Sequence, residues 1–376
     1  MPTFEPLSIL FWLVAWIGHA VIWVAVLNHL YGRRITKVFL KPWRLFTGVF
    51  ILGFSLLLIG LDELGPYPRA VYTAICYAMF AVFMSITLYR NLRPKAKALL
   101  GEHTETQNLW PKFGEQLFGG GHWSWLAKLP GNQIFRIDFT ELTLKVPKLP
   151  AAWDGLTIHM LSDFHFHGTP TQIWYEAILD RMAEWGTPDV VAIVGDVVDT
   201  DEHHAWIEPL LGKLKWKEAG FAILGNHEVH HHPEQVRSEL AKLGFTILSN
   251  TWKTATIRGV EFVALGNETP WFFPAPDLSD APKEPFRFCL SHCPDQFYWG
   301  EARGVNLMLC GHVHGGQVRF PVIGPIFVPS VYSRRFDCGV YERGEMVMVA
   351  GRGLSGKEPL RFRCNPQVLR ITLKAA

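Results

Sequence analysis

Residues 190–199 read VVAIVGDVVD, and the reading of this stretch decides the fold. Five apolar residues in a row, four of them β-branched, describe a strand buried on both faces. The run stops at Gly195 and Asp196, so the strand ends by presenting a carboxylate. A lone Asp in that place reads equally well as the cap of a following helix. Here the pattern recurs. Residues 156–161 lead into Ser162, Asp163, Phe164 and His165, and residues 221–224 lead into Gly225, Asn226, His227 and Glu228. Residues 286–290 lead into Ser291 and His292, and residues 306–310 into Gly311, His312, Val313 and His314. In open α/β sheets, ligands bind beyond the carboxyl ends of the strands. Strand ends that all carry Asp, His or Asn therefore point to one shared site.

Outward from this stretch, residues 172–185 carry a helical stripe through Ile173, Ala177, Ile178 and Met182. Strand, helix and strand at that spacing make a right-handed βαβ unit. Helical patterns recur at 205–214 and 233–243. Beyond Gly244 the segments FTILSN, TATIRGVEFVALG and FRFCLSH show little helical pattern and predict a second, more antiparallel sheet packed on the first. MVMVAGRGL and QVLRITL supply two further strands. Residues 134–146 alternate apolar and polar, as an edge strand does. The expected fold class is α/β, a two-sheet β-sandwich flanked by helices, over a catalytic domain at 134–376.

The amino-terminal part has a different character. Residues 7–30, 45–61 and 70–89 contain no Asp, Glu, Lys or Arg and approach the ~17 to 25 residues that span a bilayer, so residues 1–93 read as three transmembrane helices. The flank before the first holds Glu5 and no Lys or Arg, which argues against a cleaved signal peptide. Arg33, Arg34, Lys37, Lys41 and Arg44 follow the first span, and Arg90, Arg93, Lys95 and Lys97 follow the third. The short loop between the second and third holds Asp62, Glu63 and Arg69. Positive charge favours the cytoplasmic side, which places the catalytic domain in the cytoplasm and the chain in the inner (cytoplasmic) membrane as a multi-pass protein. Ion-free spans argue against a channel or transporter. His19 and His29 lie in the first span and read as facing a neighbouring helix or the interface. Residues 94–133 are rich in Gly, Pro and aromatics and read as a linker, with interfacial contact and ordinary packing both open. The net charge of +2 gives no reason to expect a nucleic-acid partner. Six cysteines without paired spacing read as reduced thiols.

The ordered set DFH at 163–165, GDVVD at 195–199, GNHE at 225–228, SH at 291–292 and GHVH at 311–314 resembles the calcineurin-like metallophosphoesterase superfamily. GHVHGGQ, the GRGLSG stretch at 351–356 and RFRCNPQV are similar to its bacterial membrane-associated phosphodiesterase branch. Some relatives in that branch cleave the pyrophosphate of UDP-2,3-diacylglucosamine. The resemblance implies one divalent metal held by Asp163, His165, Asp196 and His314, and a second held by Asp196, Asn226, His292 and His312. Two metals ~3.5 to 4 Å apart acidify a shared water and hold both oxygens of an in-line displacement at phosphorus. The mixed oxygen and imidazole donors suit Mn, Fe or Zn. His227 is implied as a proton donor or charge stabiliser beside the leaving group. Asp199 and Glu228 read as orienting ligands or backbone, with a helix-cap role equally open for Asp199.

Several patterns compete. His227, Glu228 and His231 fit a zinc-protease HExxH motif, but Gly225, Asn226 and Pro233 deny it the helix it needs. GRGLSGK at 351–357 lacks the Ser or Thr of a P-loop and is followed by Glu358 and Pro359, so it reads as a turn near the site. His167, His203, His204, His230 and His232 read as solvated loop residues. Arg352 and Arg361 are candidates to clamp a substrate phosphate, with ordinary ion pairing as the alternative. Trp271 and Phe272 lie in an apolar loop that either contacts an acyl chain or the bilayer, or folds back on the core. The expected substrate is a phosphoester, carried on a lipid or lipid precursor. A catalytically dead metal-binding scaffold is the non-enzyme alternative, and the intact ligand set argues against it. Thr200 and Asp201 after Asp199 depart from the Arg-Gly of protein phosphatases.

Overall fold

The computed structural model describes residues 6–375. Glu5, whose charge enters the reading of the amino-terminal flank, lies outside them. The chain divides into two units, Met1–Pro94 with Phe320–Arg334, and Lys95–Arg319 with Arg335–Ala376.

The first unit is helical. α1 (Pro6–Tyr31) packs on α4 (Pro66–Leu92), where Gly18 lies so close to the Cys76 backbone that a Cβ would stand 1.8 Å from its carbonyl oxygen. Close backbone approach at small residues is how helices pack in lipid, where no hydrophobic force drives them together. Between them, α2 (Lys37–Leu52) and α3 (Phe54–Asp62) meet at a 71° bend. The expected straight span at 45–61 is therefore broken at its middle. The break falls at Gly53, a residue that weakens a helix interior by about 1 kcal/mol relative to Ala. Among the described residues two helices are long and apolar enough to cross a membrane, Leu7–Tyr31 and Tyr67–Leu92, and the bent pair makes a third when counted as one span. His19 faces neighbouring helices, with Nδ1 2.6 Å from the Tyr72 hydroxyl and Nε2 3.0 Å from the Phe50 carbonyl. His29 Nδ1 lies 3.3 Å from the Val331 carbonyl oxygen.

The second unit is the two-sheet sandwich. Its strands are β1 (Leu99–Asn108), β2 (Arg136–Val146), β3 (Thr157–Leu161), β4 (Val190–Val194), β5 (Ala219–Ile223), β6 (Thr246–Ile247), β7 (Trp252–Ile257), β8 (Val260–Asn267), β9 (Arg287–Ser291) and β10 (Leu307–Cys310). After the short ribbon β11 (Arg319–Phe320) and β12 (Gly324–Pro325) come β13 (Gly339–Arg343), β14 (Met346–Ala350) and β15 (Gln367–Ala375). One sheet runs β1-β2-β15-β3-β4-β5-β6, the other β13-β14-β10-β9-β8-β7.

β4 shows why the stack forms. Val190, Ala192 and Val194 face the opposite sheet, packing with Phe262, Leu290 and Leu309, while Val191 and Ile193 face the helix layer around Trp174 and Ile178. Both faces are covered, as the unbroken apolar run requires. The helix Gln172–Ala183 connects β3 to β4, which run parallel.

Three expectations need correction. Residues 94–133 are not an irregular linker throughout, because β1 lies within them and pairs antiparallel with β2 from Leu99 to Asn108. Its side chains alternate Glu102, Thr104 and Thr106 with His103, Glu105 and Gln107, so an edge strand with so few apolar residues carries no hydrophobic pattern to read. The second sheet is mixed rather than mainly antiparallel. β8, β9, β10 and β14 are mutually parallel, and only the outer β7 and β13 run the other way. The helix Phe297–Ala302 provides the crossover from β9 to β10, and it is too short to show a period. The FTILSN segment supplies β6 to the first sheet, beside β5.

Candidate metal centre

Three of the five strand ends foreseen from the sequence, those after β3, β4 and β10, deliver their side chains from turns with unusual backbone. Asp163, His165, Asp196, His312 and His314 all have positive φ, between 51° and 70°. Non-glycine residues seldom adopt this region, and several held there together mark a site that the surrounding fold constrains. Gly225 makes the crowding possible, since a Cβ there would stand 2.2 Å from Asp196 Oδ1.

The side chains converge. Asp163, His165, Asp196 and His314 place one ligand atom each within 4.8 Å of one another, as do Asp196, His292 and His312, so Asp196 belongs to both groups. His165, Asp199 and His227 form a third such group. Asn226 joins the second, its Oδ1 3.3 Å from His292 Nε2. Asp196 Oδ2 is buried without a hydrogen-bond partner. Around it stand three imidazole nitrogens: Nε2 of His292 at 3.2 Å, of His165 at 3.6 Å and of His227 at 4.0 Å.

The outward nitrogens of His165, His292 and His314 are occupied. His165 Nδ1 lies 2.9 Å from Asp199 Oδ1, His292 Nδ1 2.7 Å from the Val194 carbonyl, and His314 Nδ1 3.1 Å from the Ser355 carbonyl. Metal-ligating histidines show this arrangement, with the second nitrogen donating to an acceptor that fixes tautomer and ring orientation. An orphaned buried carboxylate oxygen facing inward Nε2 atoms, each braced from behind, fits a divalent cation.

The charges follow from the packing. Burial resists ionisation at Asp163 and raises its pKa. At Asp196 and Asp199 burial is outweighed by neighbouring imidazoles, those of His292 and His227 for the first and of His165 and His227 for the second, which hold both carboxyls well below the usual range. Burial likewise opposes charge on His165 and His292, but Asp199 beside the one and Asp196 beside the other push both up to about 9. Burial and the neighbouring His165 and Arg361 hold His314 well below its ordinary value.

Glu228 lies beneath this layer, fully buried. Its Oε1 accepts from the backbone N–H of Val197 at 2.5 Å and Val198 at 3.0 Å, and its Oε2 from Gly225 at 2.7 Å and Asp196 at 3.2 Å. One carboxylate thus ties the turn after β4 to the turn after β5. Burial and the nearby Asp196 raise it to about 6. The GRGLSG turn also packs here, with the Ser355 N–H donating to the Asp163 carbonyl at 2.9 Å.

Of the four candidate substrate contacts, Arg352, Trp271 and Phe272 take the alternatives left open for them, ion pairing and folding back on the core, and Arg361 is buried among backbone carbonyls. Arg361 is fully buried, and its guanidinium donates to the backbone carbonyls of His314, Arg352 and Ser355, so it braces the loops rather than clamping a phosphate. Irregular loops leave carbonyls that need donors, and a buried guanidinium supplies several at once. Arg352 Nη2 pairs with Asp138 at 2.7 Å. Trp271 is buried at 8 % exposure with its ring 4.5 Å from that of His312, while Phe272 lies under the Arg237 guanidinium at 4.9 Å. At Trp271 and Phe272 the loop folds back on the core, while Phe273 is strongly exposed, at 62 %. His231 pairs with Asp201 and stands on no helix with His227, so the HExxH pattern is coincidental. His167 and His204 are buried rather than solvated, with Nε2 atoms 3.1 Å from the carbonyls of Gly356 and His231.

One contributor escaped the sequence reading. Glu268 is buried, accepts the Leu224 N–H at 2.8 Å and pairs with Arg237. The signal was present, since LGNE at 265–268 ends β8 with the same Gly-Asn break that ends β5.

The family model for calcineurin-like phosphoesterases matches residues 156–316. A Bacillus subtilis metallophosphoesterase, YkuE, is 30% identical over 69% of this chain and 92% of its own length. Phosphodiesterase YaeI of Escherichia coli is 29% identical over 57% of this chain and 81% of its own. A zebrafish (Danio rerio) transmembrane protein with a metallophosphoesterase domain is 27% identical over 63% of this chain and 57% of its own. The chain belongs to the calcineurin-like metallophosphoesterase family and is a phosphoester hydrolase.

Proposed function

We propose that this protein is a membrane-anchored, two-metal phosphodiesterase or pyrophosphatase acting on a phosphate-bearing lipid or lipid precursor. The observation that carries the reading is the buried, unpartnered Asp196 Oδ2 among the Nε2 atoms of His292, His165 and His227. Asp163, His165, Asp196 and His314 would hold one divalent cation, and Asp196, Asn226, His292 and His312 the other, with Mn, Fe and Zn all compatible with the donors. When bound, two such cations supply Lewis acidity at phosphoryl oxygens and lower the pKa of water.

The chain's own residues account for the rest. Asp199 and the carbonyls of Val194 and Ser355 hold the ligand imidazoles in the tautomer that offers Nε2 inward. Glu228 fixes the turns that carry Asp196 and Asn226. His227 Nε2 points toward the same carboxylate oxygen and its side chain is 14 % exposed, so it reaches solvent where the ligand imidazole of His165 does not. That placement suits protonation of a leaving oxygen, with Asp199 bracing the ring from behind.

The apolar helices favour a substrate that shares their membrane, and the basic residues after α1 and α4 favour a cytoplasmic catalytic unit. The test is a screen with purified full-length protein and added Mn, comparing an aryl phosphodiester with phosphate- and pyrophosphate-bearing lipids in mixed micelles. Turnover of a lipid with higher kcat/KM than the aryl ester supports the reading. Turnover of the aryl ester and soluble diesters alone overturns the lipid part of it.

A further inference from the structure

Phe320–Arg334 interrupts the catalytic unit six residues after His314 and belongs with the helices. It reads FPVIGPIFVPSVYSR, with no acidic side chain. A largely irregular insertion of this length inside a compact domain generally has a function of its own.

Polar side chains at the ends of α1 and α4 clamp its backbone. Asn28, 1 % exposed, donates from Nδ2 to the Ile326 carbonyl and to Ser333 Oγ, each at 3.1 Å, and accepts the Val328 N–H at 3.0 Å. Asn91 Nδ2 donates to the Val322 carbonyl at 2.9 Å, and Arg90 Nη1 to the Arg334 carbonyl at 2.5 Å. Arg334, 7 % exposed, donates to the Ile323 carbonyl at 2.8 Å and to Thr87 Oγ1 at 3.1 Å, with its guanidinium 4.4 Å above the Phe83 ring. Gly32 lies against the segment so closely that a Cβ would stand 2.5 Å from the Val331 nitrogen.

The clamp fixes the backbone and buries Val328, yet leaves four large apolar side chains of the segment outside. Val322 is 77 % exposed, Phe320 47 %, Phe327 39 % and Ile326 37 %, and the last turns of α4 expose Leu88, Tyr89 and Leu92. A mobile loop would fold such side chains inward, since each gains about 1.5 to 3 kcal/mol on full burial. Here the hydrogen bonds hold them out. The same helix ends expose Arg33, Arg34 and Arg93. Apolar and aromatic side chains beside cations match the headgroup region of an anionic leaflet.

We propose that Phe320–Arg334 is a membrane-interface insertion that seats Phe320, Val322, Ile326 and Phe327 in the boundary between headgroups and acyl chains. It rests on the reading of α1 and α4 as membrane spans.

The test uses full-length protein in nanodiscs containing anionic lipid, with an environment-sensitive fluorophore on Val322→Cys. Leu10→Cys on the exposed face of α1 and Glu202→Cys on the catalytic unit serve as controls, and dye-treated wild type sets the background. The Val322 label should shift to the blue and be quenched several-fold more by lipids spin-labelled near the headgroup than by aqueous iodide. The Glu202 label should show the reverse. A Val322 label quenched by iodide like the Glu202 label overturns the insertion, as does one shielded from both quenchers, which would mean that protein covers it. If the Leu10 label is quenched by deep spin labels while Val322 fails, the spans stand and only the insertion falls. If both labels fail, the membrane reading falls with it.

Discussion

Asp199 Oδ1 lies 2.5 Å from His227 Nδ1 and 2.9 Å from His165 Nδ1, so a single carboxylate oxygen braces two imidazoles of the centre. The two histidines differ in access, because His165 is fully buried and His227 is not. Removing the brace and removing the exposed ring should therefore have different consequences. His227→Gln should keep its metals and lose kcat by about 10²- to 10⁴-fold, the range for a general acid. The loss should shrink with nitrophenolate leaving groups, which need no proton. Asp199→Asn should lose metal affinity as well as rate, by about 10- to 100-fold. Metal content by elemental analysis beside kcat for aryl and alkyl diesters separates the two; equal metal loss in both variants would contradict the assignment.

Metal affinity should depend on pH in a stated direction. His165 and His292 are pushed up to about 9, so protons compete with a cation for their Nε2 atoms below that pH. Mn affinity should rise as the pH climbs through neutrality toward 9, with protons released on binding. Titration calorimetry in buffers of different ionisation enthalpy measures that release. Binding that is independent of pH across this window would contradict it.

Glu228 satisfies four backbone N–H groups from two turns, none of which has water to turn to. Glu228→Gln sets an amide N–H₂ against N–H donors, and should destabilise the fold by roughly 3 kcal/mol. Thermal unfolding of the detergent-solubilised chain reads the loss. An unchanged Tm together with normal metal content would show that the turns hold without it.

Stability at acid pH should depend on His159, away from the metal ligands. It is 4 % exposed, its Nε2 has no hydrogen-bond partner, and its ring lies 5.4 Å from that of Trp185. Burial, with Arg370 nearby, pushes it down to about 4. The unfolded chain takes up this proton near pH ~6.5 and the folded chain only near 4, so stability is full above the first value and declines as the pH falls toward the second. The decline amounts to about 3 kcal/mol at most. His159→Phe should flatten the stability profile in that window, and an unaltered slope would assign the acid sensitivity elsewhere.

The sequence disclosed the strand ends because each joins an apolar run to a ligand type, two signals that reinforce one another. Asp163, His165, Asp196, Asn226, His292, His312 and His314 were legible for that reason, and the fold brings them together. What could not be read was set by backbone. The acceptors behind His292 and His314 are the carbonyls of Val194 and Ser355, which no residue type announces. Arg361 looked like a substrate clamp because sequence shows a charge and not the buried carbonyls that use it. β1 was hidden because it pairs through backbone bonds while bearing polar side chains on both faces. The bend at Gly53 sits inside an apolar run that hydropathy alone reads as continuous.

The most direct test of the central claim compares wild type with Asp196→Asn for hydrolysis of an aryl phosphodiester and for bound metal, after chelation and reloading with Mn. Two metals per chain and turnover in the wild type, with both lost in the variant, are the predicted result. A variant that keeps its metals and its rate would contradict the assignment of Asp196 to both groups of candidate ligands.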